Sequence, residues 1–168
     1  VFRLRPAHLV EWTAGSLDIV SYWSHDFTPD DSGTEAETGE KIRKKLREAV
    51  DRRIDTSKKA GVFLSGGLDS SSIVSLLHEQ GVKNLSTFSF RCRGKSFDES
   101  YYAQRVADRF NTDHHLVEYG PEDVLKAGEM AAQMEEPFSD VGINIATWLL
   151  AKRASGSVDT LFTGDGGD

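Results

Sequence analysis

The sequence predicts an α/β domain in which a parallel sheet carries helices on both faces. Three observations predict it. From residue 61 onward, short apolar runs alternate with longer stretches of helical periodicity, as in successive βαβ units. The first run, Gly61-Val62-Phe63-Leu64, passes directly into a glycine- and serine-rich turn, Ser65-Gly66-Gly67-Leu68-Asp69-Ser70-Ser71, and then into a helix. The last run, Val158-Asp159-Thr160-Leu161-Phe162, ends in a second such turn, Thr163-Gly164-Asp165-Gly166-Gly167-Asp168. Ligands of open parallel sheets gather at the carboxyl ends of the strands, so two such turns at two strand ends mark a candidate site.

Taken in order, residues 1–24 hold short apolar stretches and Trp12 and Trp23 around a Gly15-Ser16 turn, and read as extended segments. Residues 26–39, acidic and broken by Pro29 and Gly33, have no periodic apolar face and read as a linker at a domain boundary. From Glu40 to Ile54 the positions Ile42, Leu46, Ala49, Val50 and Ile54 form an apolar stripe, and basic residues cover the other face of a surface helix. That basic run, Lys41 to Arg53, reads as a solvated face rather than a binding patch. Strands are expected at 61–65, 85–91, 114–118 and 158–163. Between them the helices are Ser70–Gln80, ended by Gly81, then Glu99–Phe110 with Asp98 as its N-cap, then 121–134 and 142–155.

Composition narrows the function. With 168 residues, 38% apolar and 28% charged, the chain can bury one substantial core. A net charge of −7 and a pI near 5.2 argue against a nucleic-acid surface and for small-molecule chemistry. The one cysteine, Cys92, excludes an internal disulfide and reads as a half-buried strand residue. There is neither a long apolar span nor a signal-peptide pattern, so no membrane is expected and the expected location is cytoplasmic. Both ends read as cut: the chain opens at Val1 and stops at Asp168, just after a glycine turn.

The first glycine turn has the chemistry of a pyrophosphate loop. A strand, a tight turn and a helix start bring backbone N–H groups to one point, where the helix dipole favours an anion. Gly66 and Gly67 can take positive φ, and Ser65, Ser70 and Ser71 add hydroxyl donors. Asp69 would repel a phosphate unless a cation lay between them, which points to Mg²⁺; with neighbouring strands, Asp69 and Asp168 can meet on one ion. The GxxxxGK[ST] pattern is absent, and the glutamate of a calcium loop is missing from the second turn. For each turn alone, a plain glycine turn remains an equal alternative, with a serine N-cap in the case of the first. His114 and His115 are adjacent on a strand, face opposite sides and read as structural.

Four segments in order, SGGLDSS at 65–71, FSFRCRGKSFDESYYAQRVADRF at 88–110 followed by HHLVE at 114–118, EEPFSD at 135–140 and LFTGDGGD at 161–168, resemble the synthetase domain of glutamine-dependent asparagine synthetases. These belong to the pyrophosphate-loop ATP pyrophosphatases, with an adenine nucleotide alpha hydrolase-like, Rossmann-like sheet. The resemblance implies that residues 1–25 are the end of a glutaminase domain and its connection, 26–39 a linker and 40–168 the N-terminal part of the synthetase domain, truncated at its C-terminus. The N-terminal cysteine of such a glutaminase is not in this chain, and Cys92 cannot replace it, so glutamine hydrolysis is not expected of it. It further implies ATP and Mg²⁺, with aspartate and ammonia or glutamine as the other substrates, reacting through β-aspartyl-AMP. It leaves room for a homodimer of the full-length protein. By resemblance, Ser65, Gly66, Gly67, Asp69 and Ser70 hold the pyrophosphate, and Asp69 and Asp168 are metal ligands. Phe63, Leu64 and Phe90 match positions beside adenine, with core packing the alternative for the two phenylalanines. Thr163 and Gly164 match backbone that contacts AMP. Asp165 stands where the family often has glutamate and is tied to the acceptor or its adenylate. Glu136, Pro137 and Asp140 match a segment near the nucleotide, Asp140 equally an N-cap. Relatives that close rings or form other amides, such as β-lactam synthetases and peptide cyclases, share the loop, and a nucleotide-binding fragment without catalysis is the third reading.

Overall fold

A computed structural model describes residues 3–29, 33–93, 98–135 and 143–166. Asp168, Glu136, Pro137 and Asp140 lie outside the described residues. The chain divides into two compact units, residues 1–39 and 40–168.

The first unit is built on an antiparallel hairpin, β1 (His8–Thr13) and β2 (Ser16–Ser21), with Thr13 opposite Ser16 and Trp12 opposite Leu17. Its two-residue turn is Ala14-Gly15, with φ of 46° and 92°, the double-positive geometry that matches the twist of paired strands. The turn therefore sits one residue before the expected Gly15-Ser16.

Helix α1 spans Glu35–Asp51 and not Glu40–Ile54, so the last residues of the expected linker are helical. The reason is a capping box. The Glu37 carboxylate accepts the Thr34 backbone N–H at 2.8 Å, and the Glu37 N–H donates to Thr34 Oγ1 at 3.3 Å. Only the far end of the expected stripe is covered: Val50 is buried with Ile54 packed beside it, whereas Ile42 and Leu46 stay exposed.

The second unit holds a four-stranded, wholly parallel sheet made of β3 (Ala60–Phe63), β4 (Ser86–Cys92), β5 (Asp113–Tyr119) and β6 (Thr160–Phe162), in the order β5-β4-β3-β6. Its helices are α2 (Leu68–Glu79), α3 (Ser100–Phe110), α4 (Ala127–Ala131) and α5 (Ile143–Ala154). The predicted α/β class and the helices on both faces are present. Alternate strand residues feed two cores. Val62, Leu64 and Phe162 pack with Val50, Val74, Leu77 and Ala103 on one face. Phe63, Phe88 and Leu161 pack with Leu150 and Ala154 of α5 on the other. Each fully buried large apolar side chain among them, such as Val62, Leu64, Leu77 and Phe88, contributes about 1.5–3 kcal/mol.

Two expected elements are shorter. The helix expected at 121–134 is a 3₁₀ turn, Pro121–Lys126, followed by the five-residue α4. Val124 and Leu125 are exposed there, so no apolar face holds a longer helix in place. The last strand is three residues long because it pairs with β3 only from Ala60 to Val62.

Candidate functional site

The strand order creates the site. From β3 the chain steps outward to β4 and β5, then returns through α4 and α5 to place β6 on the other side of β3. The order reverses between β3 and β6, and an open parallel sheet has its ligand crevice at such a point. The two glycine turns leave those two strands. Between them and the ends of β4, α3 and α5 lies a cleft of about 380 Å³.

The first loop is held by its serines. Ser65 N–H donates to Ser70 Oγ at 3.2 Å, the two hydroxyls lie 3.0 Å apart, and Gly67 N–H donates to Ser65 Oγ at 3.1 Å. Ser70 is buried and Ser65 exposed, so Ser65 presents its hydroxyl to the cleft while Ser70 braces it. Gly67 opens α2 in extended geometry (φ −71°), and no side chain caps the first-turn N–H groups beside the cleft.

Of the two glycines that can take positive φ, one does: Gly66, at +84°. A Cβ on Gly66 would stand 2.5 Å from Ala103 N and 2.6 Å from Tyr102 C, so this loop lies directly on the start of α3. Gly66 does not line the cleft; its part is to let the loop dock. Ser71 also faces away, its Oγ buried without a partner among the described residues. The second loop closes on the first through Gly164, where a Cβ would stand 2.8 Å from Ser70 N and 3.1 Å from the Asp69 Cβ.

The structure thus brings together Ser65, Gly67, Asp69 and Ser70 from the first loop and Thr163, Gly164 and Asp165 from the second. Phe63, Leu64 and Phe90 line the same cleft. Phe63 also packs into the core beside α5, Leu64 is buried, and Phe90 is 40% exposed at the end of β4, an apolar surface open to a ligand. Sequence reasoning missed Phe88, Ser89, Glu99, Ser100 and Thr147 in the lining. The signal for Glu99 was present, since it follows the helix cap of a βα unit at a strand's carboxyl end.

That cap is Asp98, whose Oδ1 accepts the Ser100 N–H at 3.0 Å, although the helix boundary falls at Glu99. Hydrogen bonds from the Ser100 hydroxyl and backbone hold the Asp98 carboxyl below its usual range, with Arg91 nearby adding to the effect. The expected structural role of the histidines fits their contacts: His115 stacks on Phe88 with ring centres 5.0 Å apart, and His114 Nδ1 lies 2.8 Å from Thr87 Oγ1.

The charge of the cleft is one-sided. Its described lining holds three carboxylates, Asp69, Glu99 and Asp165, and no lysine or arginine. A polyphosphate in such a place needs a cation. Among the described residues no three His, Cys, Asp or Glu side chains group closely enough to hold a metal. Carboxylate oxygens shared with phosphate oxygens are nevertheless the donors Mg²⁺ takes, so the residues present fit it. No helix among the described residues is long and apolar enough to cross a membrane.

Comparison with known proteins agrees with this geometry. The sequence model of the asparagine synthase family matches residues 41–168. A Methanocaldococcus jannaschii protein provisionally named asparagine synthetase (glutamine-hydrolyzing) 2 is 35% identical over 131 residues, covering 77% of this chain and 25% of that protein. The amidase chry2 of Gibberella zeae is 32% identical over 189 aligned positions, covering 100% of this chain and 28% of that protein. The chain thus spans about a quarter of the length of these relatives. Among solved structures, the U34-tRNA thiolase NcsA of Methanococcus maripaludis superposes with a TM-score of 0.52 at 18% identity, over 77% of this chain and 46% of that one, which shows a shared fold.

Proposed function

The chain belongs to the asparagine synthase family, and from that premise we propose that its cleft binds ATP with Mg²⁺ as part of an ATP-dependent amide-forming synthetase. The observation that carries this is the meeting of the two glycine loops at the reversal point of the sheet, with Gly164 pressed against Ser70 N. In the reaction proposed, the side-chain carboxylate of aspartate attacks the α-phosphorus of ATP. An O–P bond forms, the bond to the β-phosphate breaks, and pyrophosphate leaves. Ammonia then attacks the acyl carbon of β-aspartyl-AMP, AMP departs and the amide remains.

The residues divide this work. The Ser65 hydroxyl and the first-turn N–H groups of α2 hold the departing pyrophosphate, with Ser70 fixing the Ser65 rotamer. Each hydrogen bond to a charged group is worth about 1.5–3 kcal/mol, so a few of them, aimed before the reaction begins, make a sizeable share of a barrier reduction. Asp69, with Asp168 as its partner, would hold Mg²⁺, which neutralises charge on the leaving group. Phe63, Leu64 and Phe90 take the adenine, and the Thr163-Gly164 backbone faces the AMP portion. Asp165, projecting from the second loop, meets the acceptor acid or its adenylate. On the same reading the hairpin of residues 1–25 ends a glutaminase domain that supplies ammonia from glutamine.

A second reading, a synthetase that forms a different amide, is favoured by the amidase-named relatives, which align along the whole chain, and by Asp165, shorter than the glutamate the family often carries there. ATP–pyrophosphate exchange by the full-length protein, with aspartate and a panel of other carboxylic acids, separates the two. Exchange that requires aspartate supports asparagine formation. Exchange with another acid and none with aspartate selects the second reading.

A further inference from the structure

Glu99 is the one carboxylate of the cleft that stands on neither glycine loop. It is exposed, and its carboxylate makes no hydrogen bond or ion pair with another described residue. A free acid in a cleft built for phosphates lowers affinity if it faces them. It raises affinity if it meets hydroxyl donors.

Its neighbours fix its place. On one side, Arg91 Nε lies 3.3 Å from the Asp98 carboxylate and donates to Ser100 Oγ at 3.4 Å, so the residues flanking Glu99 are held beside the chain position that follows Phe90. On the other side, the Glu99 carbonyl accepts the N–H of Ala103 at 3.2 Å, and Ala103 N is the atom 2.5 Å from where a Gly66 Cβ would stand. Glu99 therefore lies between the apolar wall at Phe90 and the docked pyrophosphate loop. In a nucleotide, the part between base and phosphates is the ribose.

We infer that Glu99 reads the ribose of the bound nucleotide, its two carboxylate oxygens accepting the 2′- and 3′-hydroxyls; this rests on the reading of the cleft as an ATP site. The chemistry is that of an acidic residue accepting ribose hydroxyls in dinucleotide-binding α/β folds. Two other polar groups of the lining are engaged: the Ser89 hydroxyl donates to the Leu64 carbonyl, and Ser100 is tied to Asp98 and Arg91.

The test is binding of ATP, 2′-deoxy-ATP, 3′-deoxy-ATP and pyrophosphate alone, each with Mg²⁺, to the full-length protein and to its Glu99→Ala and Glu99→Gln variants. The wild type should prefer ATP to either deoxynucleotide by about tenfold. Glu99→Ala should lose about ten- to a hundredfold in ATP affinity and bind all three nucleotides alike, with pyrophosphate affinity unchanged. Glu99→Gln, which keeps the side-chain volume, should fall between. If ATP and pyrophosphate bind but both variants discriminate as the wild type does, or the wild type does not discriminate, Glu99 does not read the ribose while the ATP cleft stands. If neither ATP nor pyrophosphate binds the wild type, the reading of the cleft fails and takes this assignment with it.

Discussion

Replacing Gly66 by alanine should cost much more than the same change at Gly81, although both glycines hold positive φ, +84° and +78°. The left-handed conformation costs an L-residue about 1–2 kcal/mol. Reduced freedom of the unfolded chain offsets about 0.4–1 kcal/mol of that. A Cβ on Gly81 meets nothing within 4 Å, so Gly81→Ala should lose about 1 kcal/mol. At Gly66 the added Cβ falls 2.5 Å from Ala103 N and 2.6 Å from Tyr102 C, backbone atoms that no side-chain rotation can move aside. Either the loop or the start of α3 must withdraw, which adds about 1–3 kcal/mol. At about 2–4 °C per kcal/mol for a chain of this size, Gly66→Ala should melt roughly 4–16 °C below the wild type and Gly81→Ala no more than about 4 °C below it. Thermal unfolding followed by circular dichroism, paired with pyrophosphate binding, reads both effects. Gly66→Ala should also lose about tenfold or more in pyrophosphate affinity, because the Ser65 and α2 donors move with the loop. Equal melting losses for the two variants, or undiminished pyrophosphate binding by Gly66→Ala, would refute the claim that docking on α3 shapes the loop.

Three further outcomes are expected. Asp69→Asn should weaken Mg·ATP binding about tenfold or more while leaving the melting temperature nearly unchanged, since the Asp69 side chain lines the cleft; a melting loss that parallels the binding loss would make Asp69 structural. Thr34→Ala should remove the capping box of α1 at a cost of about 0.5–2 kcal/mol and speed amide exchange in its first turn, and unchanged exchange there would contradict the cap. Burial, with the neighbouring His115 charge adding to it, holds the His114 pKa below 6.5. The unfolded chain therefore takes up a proton before the folded one does, so this contribution to stability is present above pH 6.5 and is lost as pH falls toward the lower folded value. Urea unfolding between pH 7.5 and 5 should show that decline (pH window set by the reference pKa), and His114→Gln should flatten it; an equal slope in the variant would assign the decline elsewhere.

The strands were legible because a parallel sheet buried on both faces writes itself as apolar runs, Val62 to Leu64 continuous and Leu85 to Phe88 with the buried polar Ser86 and Thr87 inside it. What the sequence could not order was the sheet. Nothing local says that β6 lies beside β3, and that adjacency alone turns two ordinary glycine turns into one cleft. The start of α1 escaped because apolar spacing begins at Ile42, whereas the helix is set by the Thr34–Glu37 cap, a signal of a different kind. Gly66 and Gly67 look alike in sequence, and only the contact with Tyr102 and Ala103 assigns the positive φ to the first. Ser70 lines the cleft as the resemblance implies, and the structure adds that its hydroxyl lies 3.0 Å from that of Ser65, a contact no sequence pattern announces. Most of the proposed nucleotide residues were legible for the opposite reason: a pyrophosphate loop is continuous in sequence, so its chemistry survives without knowledge of the fold.

Residue-resolved NMR of this chain titrated with Mg·pyrophosphate and then Mg·ATP tests the central claim most directly. Pyrophosphate should shift the amides of Ser65 to Ser70 together with those of Thr163 to Asp165, and ATP should extend the shifts to Phe90 and Glu99. Saturable binding that moves amides elsewhere and leaves both glycine loops untouched would contradict it.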